Sequence, residues 1–141
     1  AGIIIFSMSE SNVKKLIKHK KGFIGTDGLP GKHPHPRLWG TFPRILRKYV
    51  REEKLISLKD ALYKFTKGPA EKLGLKKRGE IREGYFADIV IFAPDRVKDN
   101  ASFSNPEVKP DGIPYVIVNG EVVISNGEFT GKTPGKVLLK T

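Results

Sequence analysis

Phe23-Ile24-Gly25-Thr26-Asp27-Gly28-Leu29-Pro30, followed by His33-Pro34-His35-Pro36-Arg37-Leu38-Trp39-Gly40-Thr41-Phe42-Pro43-Arg44, sets a carboxylate at the end of an apolar run inside a glycine-rich turn. A strand that ends at Ile24 and breaks at Gly25 and Gly28 presents Asp27 at its C-terminal rim, the edge on which α/β barrels carry their chemistry. Taken alone, Thr26-Asp27-Gly28 is also an ordinary turn in which the aspartate bonds its own backbone.

Working outward, Ile3 to Phe6 reads as a short buried strand, and Ser7-Met8-Ser9-Glu10 has a capping-box pattern ahead of the helical spacing of Val13, Leu16 and Ile17. Gly22 stops that helix and Phe23 to Thr26 resumes as strand, so residues 1 to 27 read as a βαβ unit with two parallel strands. Two parallel strands cannot close a sheet. Together with a start at Ala1-Gly2 and no initiating Met, this reads as a cut edge or a partial chain whose neighbouring strands are missing.

Prolines 30, 34 and 36 and Gly31 predict an irregular loop over 28 to 40. Beyond it, Phe42, Ile45, Leu46, Tyr49 and Val50 form one apolar helical stripe with Pro43 in the first turn. Ser57 is placed to cap a second helix with Leu58, Ala61, Leu62 and Phe65 inward, broken at Gly68-Pro69 before a short helical turn at 70 to 73. From Gly79 the period changes to two. Residues 89 to 92, 115 to 118, 121 to 124 and 136 to 139 read as strands, with Asn119-Gly120 a type I′ hairpin turn and residues 93 to 114 a long loop.

The whole of residues 23 to 44 resembles the N-acyl-D-amino-acid deacylases of the amidohydrolase superfamily, in which a Gly-Ser/Thr-Asp-Gly turn ends the last barrel strand and a His-Pro-Arg-x-x-Gly-Thr-Phe-Pro-Arg segment follows. Arg78-Gly-Glu-Ile-Arg-Glu-Gly-Tyr-Phe-Ala-Asp-Ile-Val-Ile-Phe92 is similar to the tail shared by many amidohydrolases, where the chain leaves the barrel for a small β domain. With Asp99-Asn-Ala-Ser-Phe-Ser-Asn-Pro106 and Val118-Asn-Gly120, the resemblance covers nearly all of the chain. It matches only the C-terminal part of such an enzyme.

The resemblance implies a hydrolase that uses one or two zinc ions, with Asp27 the metal-side catalytic residue that handles the proton. A nearby carboxylate suits that task, since it can accept a proton from water and return it to a leaving amine. Arg37 is the candidate for substrate binding, through a bidentate grip on the free carboxylate of an N-acyl amino acid; anchoring its own loop is the competing role. Gly28, His33 and His35 belong to the same prospective active-site loop. His33-Pro34-His35 has the spacing of a metal-binding His-x-His pair, but it follows Gly31-Lys32 in a proline-rich loop rather than an apolar strand, and matches the family's loop histidines. Most of the zinc ligands expected of the family have no counterpart in this sequence. Arg44 reads as a helix-end residue, Trp39 and Phe42 as loop-packing aromatics, His19 as exposed, and Asp88 as a structural residue opening a strand.

At 141 residues the chain is too short for a complete (β/α)8 barrel of about 250 residues. It has no cysteine, hence no disulfide and no thiolate metal ligand, which fits a cytoplasmic setting. The opening apolar run is too short for a signal peptide, and no stretch approaches the ~20 apolar residues of a membrane-spanning helix. The net charge of +11 is uneven, with 20 Lys and Arg against 7 Asp and Glu in residues 1 to 82, and 6 against 8 thereafter. Such asymmetry is found on nucleic-acid surfaces. Here the lysines alternate with apolar helix positions and no stacking aromatics accompany them, so a solvated face is the commoner explanation and nucleic acid is not an expected partner.

The sequence therefore reads as the C-terminal end of a (β/α)8 amidohydrolase barrel over residues 1 to 75, carrying the last βαβ unit, the active-site loop and connecting helices. Residues 76 to 141 read as part of a small antiparallel β-sandwich. The expected partners are the N-terminal barrel portion, as the same enzyme or a companion chain, a small-molecule N-acyl amino acid, and further copies of the chain through its uncovered strands, with no membrane. The alternatives are an amidohydrolase of other specificity, dihydroorotase-like or imidase-like, and a non-enzymatic basic binding or assembly module.

Overall fold

The computed structural model describes residues 7–138, so the expected strand at 3 to 6 lies outside the described residues. Four α-helices precede a small sheet: α1 (Glu10–Lys18), α2 (Arg37–Arg44), α3 (Leu58–Phe65) and α4 (Lys67–Leu73), then β1 (Ile89–Ile91), β2 (Tyr115–Val118), β3 (Glu121–Ser125) and β4 (Glu128–Phe129). A π-helical segment, Ile45–Glu52, continues α2 directly.

The helical half follows the expected stripe. Ile45, Leu46 and Tyr49 are buried with Ile17, Ala61 and Val97, and Val13, Val50, Leu58 and Phe65 pack around them. Three boundaries differ from the sequence reading. Helix α2 starts at Arg37, within the stretch expected to be loop, so Pro43 sits in its last turn and not its first. A proline there has no N–H to give and its ring crowds the carbonyl four residues back. The chain widens into the π-helical segment straight afterwards, ending with the Glu53 N–H bonded to the Lys48 carbonyl. The helix break falls at Thr66 (φ −125°, ψ −87°), ahead of Gly68-Pro69, because Pro69 is accommodated in the first turn of α4, where few backbone donors have partners. Ser57 caps α3 as expected by accepting from the Asp60 N–H. Helix α1 is capped by Ser9 through the Asn12 N–H, two residues later than the Ser7 of the sequence pattern.

Residues 23 to 26 were expected as a strand parallel to residues 3 to 6, which lie outside the described residues; among the described residues, 23 to 26 join no ladder. The Ile24 N–H donates instead to the Lys64 carbonyl of α3. A parallel strand exists only through neighbours that take up its amide groups. Lys64 is itself 5% exposed and donates its ammonium to the carbonyls of His19 and Gly22. That places a cation on the carbonyls just past the C-terminus of α1, where the helix dipole favours it.

The second half is an antiparallel meander in the order β1-β2-β3-β4. Asn119 (φ 48°) and Gly120 (φ 84°) are both left-handed, the type I′ turn that the sequence predicts between β2 and β3. Asn126 and Gly127 repeat it (φ 51° and 81°) and return β3 into β4, a hairpin the sequence reading passed over. Among the described residues there is one sheet and not the two packed layers of a sandwich. Residues 136 to 138 form no strand, and residue 139 of that expected strand lies outside the described residues. Asp88 is structural: it pairs with Arg78 and accepts the Asn119 N–H, tying the start of β1 to the hairpin. Among the described residues, no helix is long and apolar enough to cross a membrane.

Candidate active site

Asp27 stands in a left-handed conformation (φ 47°), which aspartate tolerates better than most residues and which turns the chain sharply after Thr26. The Thr26 hydroxyl accepts the Gly28 N–H at 3.2 Å and closes this turn. Gly28 then lies against α2 so closely that a Cβ on it would sit 2.6 Å from the Leu38 Cα and 2.9 Å from its Cβ. Contact at that distance docks the turn on the first turn of α2. One residue before Leu38, Arg37 reaches back with its Nη2 2.9 Å from Asp27 Oδ2.

The close approach gives a direct test. Gly28→Ala is expected to destabilise the chain by about 1–3 kcal/mol, the usual cost of overpacking, because both opposing atoms belong to a helix that cannot yield locally. A thermal unfolding midpoint equal to the parent's would contradict the observed packing.

The Asp27–Arg37 pair is open to solvent, with side chains 85% and 43% exposed, so by itself it contributes little stability. The pair is held by its frame. His35 Nδ1 accepts the Arg37 backbone N–H at 3.0 Å, and the His35 ring meets Phe103 edge to face at 5.1 Å. Burial, and then the positive charge of Arg37, lower the His35 pKa from its usual value, while Asp27 opposes them. The Arg37 N–H aimed at Nδ1 uses the lone pair of that nitrogen. Phe103 arrives from the segment that begins at Asp99, whose carboxylate is 7% exposed and accepts from Arg47 Nε at 2.6 Å and Arg44 Nη1 at 3.5 Å.

The structure thus brings together Asp27, Gly28 and Arg37, with His35 one shell further out. His33 is exposed. Among the described residues no three His, Asp or Glu side chains converge on a point that would hold a metal ion. Arg44 serves the Asp99 contact, and Phe42 packs edge to face on Phe65 at 4.9 Å, in keeping with their structural readings, whereas Trp39 is 44% exposed. Asp99 and Phe103 were missed as site-supporting residues. Nothing in a chain distance of more than fifty residues marks Asp99 as the partner of Arg47 or Arg44.

Residues 4–124 match the Amidohydrolase family. The chain belongs to the amidohydrolase family. Within it, this amidohydrolase chain is 45% identical to the D-aminoacylase of Alcaligenes xylosoxydans xylosoxydans over 100% of its own length and 29% of the relative's. It is 47% identical to the N-acyl-D-aspartate deacylase of the same organism, over 98% and 28%. The solved structure of N-acyl-D-glutamate deacylase from Bordetella bronchiseptica, complexed with zinc and a phosphonate inhibitor that mimics the tetrahedral intermediate, superposes with a TM-score of 0.81 at 44% identity. That match covers 84% of this chain and 25% of the other. The amidohydrolase chain therefore spans less than a third of the length of these relatives. The similarity bears out the expected amidohydrolase barrel class, with a small antiparallel sheet among the described residues where a β-sandwich was expected.

Proposed function

We propose that this chain is the C-terminal part of a zinc-dependent enzyme that hydrolyses the amide bond of N-acyl-D-amino acids to a carboxylate and a free D-amino acid. The observation that carries the reading is the Asp27–Arg37 juxtaposition on the Thr26-Asp27-Gly28 turn. In it, residues 23 to 44, which resemble the deacylases most specifically, converge on one point. Residues 1 to 75 are the barrel end with its active-site loop, and residues 76 to 141 are the β portion. The rest of the barrel comes from elsewhere in the enzyme, as the same polypeptide or a companion chain. Self-association through the uncovered apolar faces and a cytoplasmic setting complete the reading; the lack of cysteine supports the latter.

Asp27, at the position that the resemblance to the deacylases marks, would ligate zinc through its carboxylate, with the other ligands contributed by the barrel. When bound, zinc lowers the pKa of water towards neutrality. The carboxylate of Asp27 takes a proton from the attacking water and delivers it to the leaving nitrogen, so that amide and water become carboxylic acid and amine, which exchange a proton to carboxylate and ammonium at neutral pH. Its solvent-facing position on a tight turn keeps the carboxylate accessible for that exchange, with Arg37 on Oδ2. Arg37 has five N–H donors and uses one of its nitrogens on Asp27, which leaves donors for the α-carboxylate of the substrate.

The test is a chimera in which this chain replaces the matching segment of the N-acyl-D-aspartate deacylase relative. The chimera should release a D-amino acid from its N-acyl derivative in the presence of zinc, whereas the 141-residue chain alone should not. Arg37→Ala in the chimera should raise KM by about tenfold or more, the scale of a lost hydrogen bond to a charged group, with kcat changed less. A folded chimera without turnover, or turnover by the chain alone, would overturn the proposal.

A further inference from the structure

The first turn of α2 has an unusual start. Helices are commonly opened by Ser, Thr, Asp or Asn, whose side-chain oxygen accepts an early N–H. Here the residue in that place is Pro36, which has no side-chain acceptor and makes no capping bond. The N–H groups of Leu38, Trp39 and Gly40 find the carbonyls of His35 and Pro36. The Arg37 N–H, which no carbonyl takes up, goes to His35 Nδ1 at 3.0 Å. An imidazole thus does the work of the capping oxygen, and it does so for the residue whose guanidinium holds Asp27.

Two flanking prolines and two sets of contacts fix that imidazole and the helix it opens. The chain on both sides of His35 is proline, which restricts the backbone at Pro34 and Pro36 and biases the residues before them to extended conformations. Phe103 meets the ring at 77° and 5.1 Å, a favourable edge-to-face geometry. The segment carrying Phe103 is anchored to the far end of α2 and the π-helical segment through Asp99, Arg44 and Arg47. The two ends of α2 are therefore braced by one loop from the β half: the N-terminus by Phe103 through His35, the C-terminus by Asp99.

We propose that His35 is the positioning residue for Arg37: its Nδ1 caps the first turn of α2 while Phe103 holds the ring, and this aims the Arg37 guanidinium at Asp27 and at the substrate carboxylate. The proposal rests on the deacylase reading for its kinetic consequence but not for its structural one. Burial and the neighbouring Arg37 charge, which favour the neutral ring, agree with an Nδ1 that accepts rather than donates.

Three substitutions separate capping from packing. His35→Ala removes both acceptor and ring. His35→Phe keeps a ring against Phe103 but offers no acceptor. His35→Asn gives up the ring yet restores a side-chain oxygen able to bond the N–H two residues on, as asparagine does at turns and caps. In the full chain, amide hydrogen exchange at Arg37 should be slow in the parent and His35→Asn and faster in His35→Phe and His35→Ala. In the chimera, KM should rise by about 3- to 10-fold in the Phe and Ala variants, the range of one hydrogen bond, with kcat moved less, and return towards the parent in His35→Asn. If His35→Ala fails to fold, the Phe and Asn variants decide the matter. Parent-like exchange and KM in His35→Phe, or failure of His35→Asn to recover what His35→Phe loses, would overturn the proposal. A parent chimera without turnover defeats the deacylase reading alone, and the exchange pattern at Arg37 then decides the role of His35.

Discussion

Asp27→Asn in the chimera is expected to lower kcat by at least about 10²-fold, the lower end of what general acid–base catalysis contributes, while folding and KM stay near the parent's. The choice of asparagine matters because Asp27 lies at φ 47°. Asparagine is the other residue that adopts this left-handed conformation readily, so the turn closed by the Thr26 hydroxyl and the Gly28 N–H has no reason to open. The lost ion pair with Arg37 is solvent-exposed and costs little stability. What asparagine cannot do is accept a proton from water and pass it on. A kcat within about threefold of the parent, well short of the general acid–base range, would return Asp27 to the role of a turn residue.

Gly112→Ala should give a large loss of stability at a distance from the site. Gly112 has φ 76°, and a Cβ there would lie 2.6 Å from the Val97 N and 2.7 Å from its Cα. The Gly112 carbonyl accepts the Ala93 N–H at 2.8 Å, and Asp111 bridges to Lys98, so the backbone on either side is held. Val97 is fully buried in the same core as Ile45, Leu46 and Tyr49, and Arg51 bonds the carbonyls of Pro94 and Val97. Neither strand of chain can retreat. Overpacking of about 1–3 kcal/mol adds to the left-handed penalty of about 1 kcal/mol for a residue with a Cβ. A total near 3 kcal/mol in chemical denaturation is expected. A change below about 0.5 kcal/mol, the range of ordinary surface substitutions, would contradict the packing described.

The parts of this fold that were readable in the sequence are those set by local periodicity. The stripe Phe42, Ile45, Leu46, Tyr49 and Val50 identifies a buried helix face, and Ser57 and Asn119-Gly120 announce a cap and a hairpin because each satisfies a backbone need within three residues of itself. The errors arose where the deciding partner is remote. Residues 23 to 26 have a strand's composition, yet the Ile24 N–H bonds Lys64 of α3. The start of α2 at Arg37 was hidden by the prolines, since the cap is a histidine side chain held by Phe103 from another part of the chain. Asn126-Gly127 is different: the same signal as Asn119-Gly120 was present and simply preceded a strand of two residues.

Asp27 and Arg37 were legible as individual residues but not as a pair. Their meeting depends on Gly28, whose lack of a side chain lets Leu38 approach. Several basic residues of the first half are ion-paired in three dimensions. Lys14 and Lys48 pair with Glu53 and Glu10, Arg44 and Arg47 with Asp99 and Glu52, and Lys67 with Glu71 and Glu80. All of these acids except Asp99 are already counted within residues 1 to 82, so the pairing orders individual side chains and leaves the basic surplus of that half almost unchanged.

The most direct test of the central claim is a comparison of kcat/KM for the zinc-loaded chimera on the two enantiomers of one N-acyl amino acid. The deacylase reading predicts turnover of the D-enantiomer, a clear preference for it over the L-enantiomer, and loss of that turnover in Asp27→Asn. Equal activity on both enantiomers, preference for the L-form, or D-specific turnover that survives Asp27→Asn would contradict it.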